Sequence, residues 1–268
     1  MSGLRHVPRK RFGQHFLHDP YYLARIVTAI DPRPGDRLVE IGPGEGALTR
    51  PLLERVESLA AVEIDRDLAA ALAAEFPPAR LQVIVADALE FDFATLPTRL
   101  RVVGNLPYNV STPLLFHLAV FAERVRDMHF MLQLEVVDRM AAAHSTPAYG
   151  RLSVMIQRRF QVERLFKVPP GAFRPPPKVE SAVVRLTPLP AELLAPVDAK
   201  LFAMLVTRAF GARRKTLRNA LGSLIDAAGL ERLGIDAGLR PENLAPGDYI
   251  RIAISIGLEG VPPLNPHN

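Results

Sequence analysis

One stretch constrains the fold more than any other. Leu38-Val39-Glu40-Ile41-Gly42-Pro43-Gly44-Glu45-Gly46 passes from an apolar run through three glycines into a helical pattern that begins near Ala47. Glycine lets the backbone turn sharply and approach a ligand without a Cβ clash, and the following helix offers free N–H groups at its start. A strand, a glycine turn and a helix in that order open a βα unit of a parallel sheet. Short apolar runs alternate with longer helical patterns around it, and strands are predicted at 37–41, 59–64, 81–85, 101–103, 128–132, 152–160 and 181–186. The expectation is an α/β fold with a mostly parallel, seven-stranded sheet. Its last two strands lie too close together for a crossover helix.

The segment 168–178, Val-Pro-Pro-Gly-Ala-Phe-Arg-Pro-Pro-Pro-Lys, is a stiff loop that cannot be sheet interior, and it is expected at the surface. Beyond Thr187-Pro188-Leu189-Pro190 the apolar residues recur at helical spacing over 200–210, 215–228 and 249–256. Two domains follow: 1–187, holding the sheet and an N-terminal ligand-contacting segment, and 188–268, smaller and all-helical.

Composition narrows the chemistry. With no cysteine among 268 residues, disulfides, thiolate zinc sites, iron–sulfur clusters and a cysteine nucleophile are excluded. His6, His18, His117, His129 and His144 show no metal-ligand spacing, so no metal is expected and these histidines receive no role. The net charge of +5 favours polyanionic partners. The basic start carries no apolar signal region and no run is long enough to span a membrane, so the reading is a cytoplasmic protein without a membrane partner.

The glycine loop is G-x-G-x-G, not the dinucleotide G-x-G-x-x-G, and Pro43 removes a donor that a pyrophosphate would use. Preceded by Glu40, it resembles the first motif of class I methyltransferases, whose cofactor, S-adenosyl-L-methionine, carries an amino-acid tail and a sulfonium in place of phosphates. The second strand ends at Glu63, where a carboxylate can bind both ribose hydroxyls, and the third at Asp87, which can accept from the cofactor's adenine amine. The fourth runs into Asn105-Leu106-Pro107-Tyr108, similar to the [ND]-x-P-[YF] element of enzymes that methylate exocyclic amines. An aromatic amine is a poor nucleophile because its lone pair is delocalised into the ring. The Asn105 oxygen and the Leu106 carbonyl can accept its two N–H bonds and redirect that pair, Pro107 fixes the turn, and Tyr108 can stack on the base. Without a cysteine, the covalent route to pyrimidine C5 is closed.

These pieces, with Arg11-Phe12-Gly13-Gln14-His15-Phe16-Leu17, Phe173-Arg174-Pro175-Pro176-Pro177-Lys178-Val179 and Arg213-Arg214-Lys215-Thr216-Leu217-Arg218-Asn219, resemble the bacterial small-subunit (16S) rRNA adenine N6,N6-dimethyltransferases over nearly the whole chain. The resemblance implies a Rossmann-like class I methyltransferase sheet. It also implies cofactor contacts from His15, Leu17, Gly42, Gly44, Glu63, Asp87 and Asn105, and Phe173 packing on the target adenine opposite Tyr108. Many relatives carry Asn at the position of His15 and a basic residue at that of Leu134. The implied product is N6,N6-dimethyladenosine at two adjacent adenosines of a hairpin loop near the 3′ end of 16S rRNA, made on the immature small ribosomal subunit; nothing in the sequence suggests an obligate dimer, and a monomer is expected. Arg9, Lys10 and Arg11, with Arg213, Arg214, Lys215 and Arg218, are the expected phosphate contacts. Two rival readings stay open at this point: a large-subunit rRNA adenine methyltransferase, and an assembly factor for which methylation is secondary.

Overall fold

The computed structural model describes residues 15–259; Arg9, Lys10 and Arg11 lie outside them. Strand β1 (Phe16–Leu17) leads into helix α1 (Pro20–Ile30), which starts there because Asp19 accepts the Tyr21 amide at 2.9 Å and proline occupies the first helical turn. Then follow β2 (Arg37–Ile41), α2 (Thr49–Leu53), β3 (Leu59–Glu63), α3 (Arg66–Glu75), β4 (Leu81–Val85), β5 (Leu100–Asn105), α4 (Ser111–Val120), β6 (Val125–Gln133) and α5 (Leu134–Ala141). After α6 (Arg151–Gln157) come β7 (Phe160–Val168), β8 (Phe173–Arg174) and β9 (Ser181–Pro188). The remaining helices are α7 (Ala199–Gly211), α8 (Leu217–Leu221), α9 (Ala227–Arg232) and α10 (Pro246–Glu259). Among the described residues, no helix is long and apolar enough to cross a membrane.

Seven strands form one sheet in the order β4-β3-β2-β5-β6-β9-β7. The pairs from β4 through β6 are parallel, and β9 runs antiparallel to β6 with Gln133 opposite Ser181. The central strands are continuous apolar runs because helices cover both faces; Leu38, Ala61, Val62, Val102 and Val103 are all buried. The strand order reverses between β2 and β5, so the chain leaves these neighbours in opposite directions and opens a crevice at their carboxyl ends. The glycine loop and Asn-Leu-Pro-Tyr both emerge there.

At the other end of the strands Arg101 is buried and fully engaged. It donates to Asp127 at 3.0 and 3.1 Å, to Asp36 at 2.7 Å, and to the carbonyls of Asp31 and Ile30. Desolvation opposes ionisation of Asp127 and Asp36, but His129 and Arg101 beside the first, and the Arg33 amide with Arg101 and Arg126 beside the second, outweigh it and hold both carboxyls below their usual range.

The chain divides into two compact units, 1–137 with 161–188, and 138–160 with 189–268. The second unit therefore begins earlier than the expected boundary at 188. Its added piece contains the one misread strand. Residues 152–160, predicted as a strand from alternating Leu152, Val154 and Ile156, are mostly α6, and the true strand is β7. Helix wins because Gly150 starts it, its N–H donating to Ser153 Oγ at 3.0 Å, and because Gln157 caps the carbonyls of Met140 and Ala142 at 2.8 Å each. Tyr149 and Val154 then join the core of Phe202, Leu205, Leu221 and Ile252. Both buried tyrosines there are satisfied: Tyr149 donates to Leu244 O at 2.8 Å and Tyr249 to Pro241 O at 2.7 Å. The helix predicted over 215–228 is broken into α8 and α9.

Candidate active site

A cleft opens at the carboxyl ends of β2, β3, β4 and β5, lined by Gly42, Glu63, Asp87, Asn105 and Tyr108. Gly42, at φ +66°, turns the chain off β2 in a conformation that strains any side chain, and the space beside it is empty. Gly104 on β5 runs so close to β2 that a Cβ would meet the Ile41 carbonyl oxygen at 2.5 Å. The two glycines explain how ligand-holding loops from neighbouring strands share one crevice.

Glu63 is buried at the end of β3. Its Oε2 accepts the Gly44 amide at 3.1 Å and its Oε1 the Asp65 amide at 2.9 Å, leaving each oxygen a second lone pair for a hydroxyl. Burial pushes its pKa up, against those backbone donors. Glu40 is 2% exposed and accepts from Thr49 Oγ1 at 2.7 Å; burial raises its pKa to about 7. Asp87 at the end of β4 accepts the Leu89 amide at 2.9 Å. Beside them lies Ile64, 43% exposed and lining the cleft, an apolar side chain that a purine ring would cover. Sequence reasoning passed over it, although an isoleucine between Glu63 and the helix cap Asp65 was the available signal.

Asn105 is oriented by its neighbour. Its Nδ2 donates to the His15 carbonyl at 2.8 Å, which fixes the amide so that Oδ1 remains the acceptor. Leu106 donates its amide to Met131 O at 3.2 Å, and among the described residues its own carbonyl accepts nothing. Two free acceptors thus stand on adjacent residues at the end of β5, a pair able to receive two N–H bonds. Pro107 shapes the turn, its carbonyl accepting from Val110 at 3.2 Å. The Tyr108 hydroxyl shares a 2.6 Å hydrogen bond with Ser181 Oγ on β9, a partner the sequence did not reveal, and burial raises its pKa. The His15 ring stacks on Tyr108 at 5.6 Å and 29°.

All seven expected cofactor residues, His15, Leu17, Gly42, Gly44, Glu63, Asp87 and Asn105, line this cleft, as do Leu106, Pro107 and Tyr108. Phe173 does not. It is 2% exposed and packed into the core with Leu17, Met131 and Val183, because β8 pairs antiparallel with β1, Leu17 opposite Phe173. The expected packing of Phe173 on the target base opposite Tyr108 is therefore not formed in this structure, where its ring lies in the core and the ring on Tyr108 is His15. The loop 168–178 is likewise only partly a surface feature, since Val168 and Ala172 are buried with Phe173. Arg213, Arg214, Lys215 and Arg218 are exposed, the first three on the turn between α7 and α8 and Arg218 in α8. Arg213 donates to Pro147 O at 3.1 Å and lies 3.7 Å from Glu242. Among the described residues no cluster of His, Asp and Glu is arranged to hold a metal.

A family model described as ribosomal RNA adenine dimethylase matches residues 5–257. The chain belongs to that family. As a ribosomal RNA adenine dimethylase it is an S-adenosylmethionine-dependent methyltransferase, and the cleft fits that cofactor: vacant space at Gly42, open lone pairs on Glu63, and an exposed apolar Ile64 near Asp87. The ribosomal RNA small subunit methyltransferase A of Aromatoleum aromaticum is 60% identical over 247 residues, covering 92% of this chain and 93% of that one. The protein of the same name from Laribacter hongkongensis is 56% identical, covering 96% and 98%. Among solved structures, a dimethyladenosine transferase from Plasmodium falciparum superposes with a TM-score of 0.80 at 25% identity, covering 92% of this chain and 99% of that one. The 23S rRNA methyltransferase ErmE gives 0.69 at 26% identity, covering 90% and 99%.

Proposed function

We propose that this dimethylase transfers methyl groups to the N6 amines of two adjacent adenosines in a hairpin loop near the 3′ end of 16S rRNA, acting as a cytoplasmic monomer on the immature small subunit. The observation that carries the choice of subunit is the 60% identity, over nearly full length, to a relative named for the small subunit, against 26% to one named for 23S rRNA. A looped target suits the cleft, because an unpaired base is the kind that can be splayed into a pocket.

Bound at Gly42, Glu63 and Asp87, S-adenosylmethionine supplies a sulfonium methyl group. The chain's own residues do the rest. Asn105 Oδ1 and the Leu106 carbonyl accept the two N–H bonds of N6, drawing its lone pair out of conjugation and toward the methyl carbon. Tyr108, anchored by Ser181, offers its ring to the base once His15 yields that face. His15, Leu17, Gly42, Gly44, Glu63, Asp87 and Asn105 are assigned to the cofactor, Asn105 to Tyr108 to the base, and the exposed Arg213, Arg214, Lys215 and Arg218 to phosphates, with Arg9, Lys10 and Arg11. All parts assigned to catalysis come from one chain.

The test is transfer of labelled methyl from S-adenosylmethionine to undermethylated small subunits and, in parallel, to free large-subunit RNA, with nucleoside analysis and mapping. Label recovered as N6,N6-dimethyladenosine in a 16S hairpin loop is the expected result. Label confined to large-subunit RNA overturns the subunit assignment, and particle binding without label overturns the catalytic one.

A further inference from the structure

Among the described residues six ionisable side chains line the cleft, and five are hydrogen-bonded. His15 Nδ1 is bonded to Pro175 O at 2.7 Å, Glu40 to Thr49, Glu63 to two backbone amides, Asp87 to the Leu89 amide and Tyr108 to Ser181. His129 on β6 is the exception. It is 3% exposed. Nδ1 lies 3.4 Å from Asp127 Oδ1, a carboxylate it shares with Arg101, whereas among the described residues Nε2 meets no hydrogen-bond partner. A buried ring nitrogen with no hydrogen-bond partner, as Nε2 is here, is costly to a fold unless it serves a purpose.

Its position relative to the reacting amine follows from strand register. His129 sits opposite Val103, and Met131 opposite Asn105. The imidazole is therefore two residues back from Asn105 on the same face of the sheet, about 7 Å along the strand. That is too far to touch an amine held by Asn105, and about the span of two hydrogen bonds through one water. The charged groups facing it are Asp127 on its own strand, Arg101 on β5 and, opposite it in register on β9, Arg185, which is paired with Glu163. Helix α1 contributes only apolar Leu23 and Ile26 to the cleft.

We propose that His129, through a water held at its free nitrogen, takes up the proton that N6 gives up at each methyl transfer. The N6–carbon bond forms as the sulfur–methyl bond breaks, with that bond's electron pair staying on sulfur. N6 is left cationic, and its N–H proton passes to the water and from it to Nε2, which returns it to solvent between turnovers. Two transfers to one adenine release two protons, so the imidazole must cycle twice per base. This rests on the methyl-transfer reading of the cleft.

The experiment is single-turnover methylation of undermethylated small subunits by wild-type and His129→Gln enzyme between pH 5.5 and 9. Wild-type rate is expected to rise with pH through one ionisation; His129→Gln should bind S-adenosylmethionine normally, lose that rise, and run about tenfold slower at pH 8. A folded His129→Gln enzyme whose pH profile superimposes on the wild type overturns the proposal. If the substitution prevents folding, NMR titration of wild-type protein with labelled histidine decides: the His129 resonance must titrate with the midpoint of the rate, and a different midpoint overturns it. A wild-type enzyme that leaves the particles unlabelled refutes the substrate reading instead, separating the two failures.

Discussion

Replacing Asn105 by alanine removes one of two acceptors for the amine and, at the same stroke, the donor that meets the His15 carbonyl at 2.8 Å. The two losses are felt at different stages. The acceptor acts when the N6 lone pair is redirected, so its removal lowers kcat; loss of one preorganised polar partner of this type is worth about 100- to 1000-fold, or ~3–4 kcal/mol. The His15 contact exists before substrate arrives, and a neutral hydrogen bond contributes about 0.5–1.5 kcal/mol, so cofactor affinity should weaken by about two- to twelvefold. Asn105→Asp separates them. It keeps an acceptor toward the amine but sets oxygen against oxygen at His15 unless it is protonated, so its rate should lie between the other two and recover as pH falls. Single-turnover methyl transfer with saturating cofactor gives the first number and calorimetric titration of cofactor the second. An Asn105→Ala enzyme that is folded, cofactor-bound and within about threefold of wild-type kcat refutes the assignment.

Glu40 predicts a pH dependence of stability. Its pKa rises from 4.5 to about 7 on folding, so between those values the folded state keeps a proton that the unfolded state has lost, and stability must fall as pH rises. Full ionisation amounts to about 3 kcal/mol; urea titrations at pH 4.5 and 8 should show that difference in wild type and not in Glu40→Gln. Gly42→Ala forces an alanine to φ +66° and fills the ligand's space, so cofactor affinity should fall at least about tenfold while the melting temperature drops by a few degrees. Reversing charge at Arg214 and Lys215 should raise KM for the particle and flatten its salt dependence by about one slope unit per lost contact, with kcat retained; an unchanged salt slope rejects their phosphate role.

Where function and burial act on the same residues, the sequence could be read closely. Strands 37–41 and 81–85 were placed to the residue, because parallel strands covered on both faces must be apolar and must end where glycine, Glu63 or Asp87 begins the ligand site. The cleft was legible for the same reason. Residues 152–160 were not, since an apolar residue at every second position fits a short helix as well as a strand; the arbiters were Gly150, bonded to Ser153 within the first turn, and Gln157, whose carbonyl partners Met140 and Ala142 belong to the preceding helix and the turn after it. The burial of Phe173 was hidden because its strand partner lies in a distant segment, and no local pattern encodes that register. Tyr108 finding Ser181, 73 residues on, is of the same kind.

The short pairing of β1 with β8 bears on how the enzyme is made. His15 and Pro175, 160 residues apart in sequence, are joined by one hydrogen bond, and the same two segments carry the His15 carbonyl that orients Asn105. A ribosome must therefore translate past residue 175 before the cleft can close. Until then the nascent chain has its glycine loop and its acceptors but not the clasp that aligns them, so cofactor binding comes late in synthesis and reports that the first unit is nearly complete.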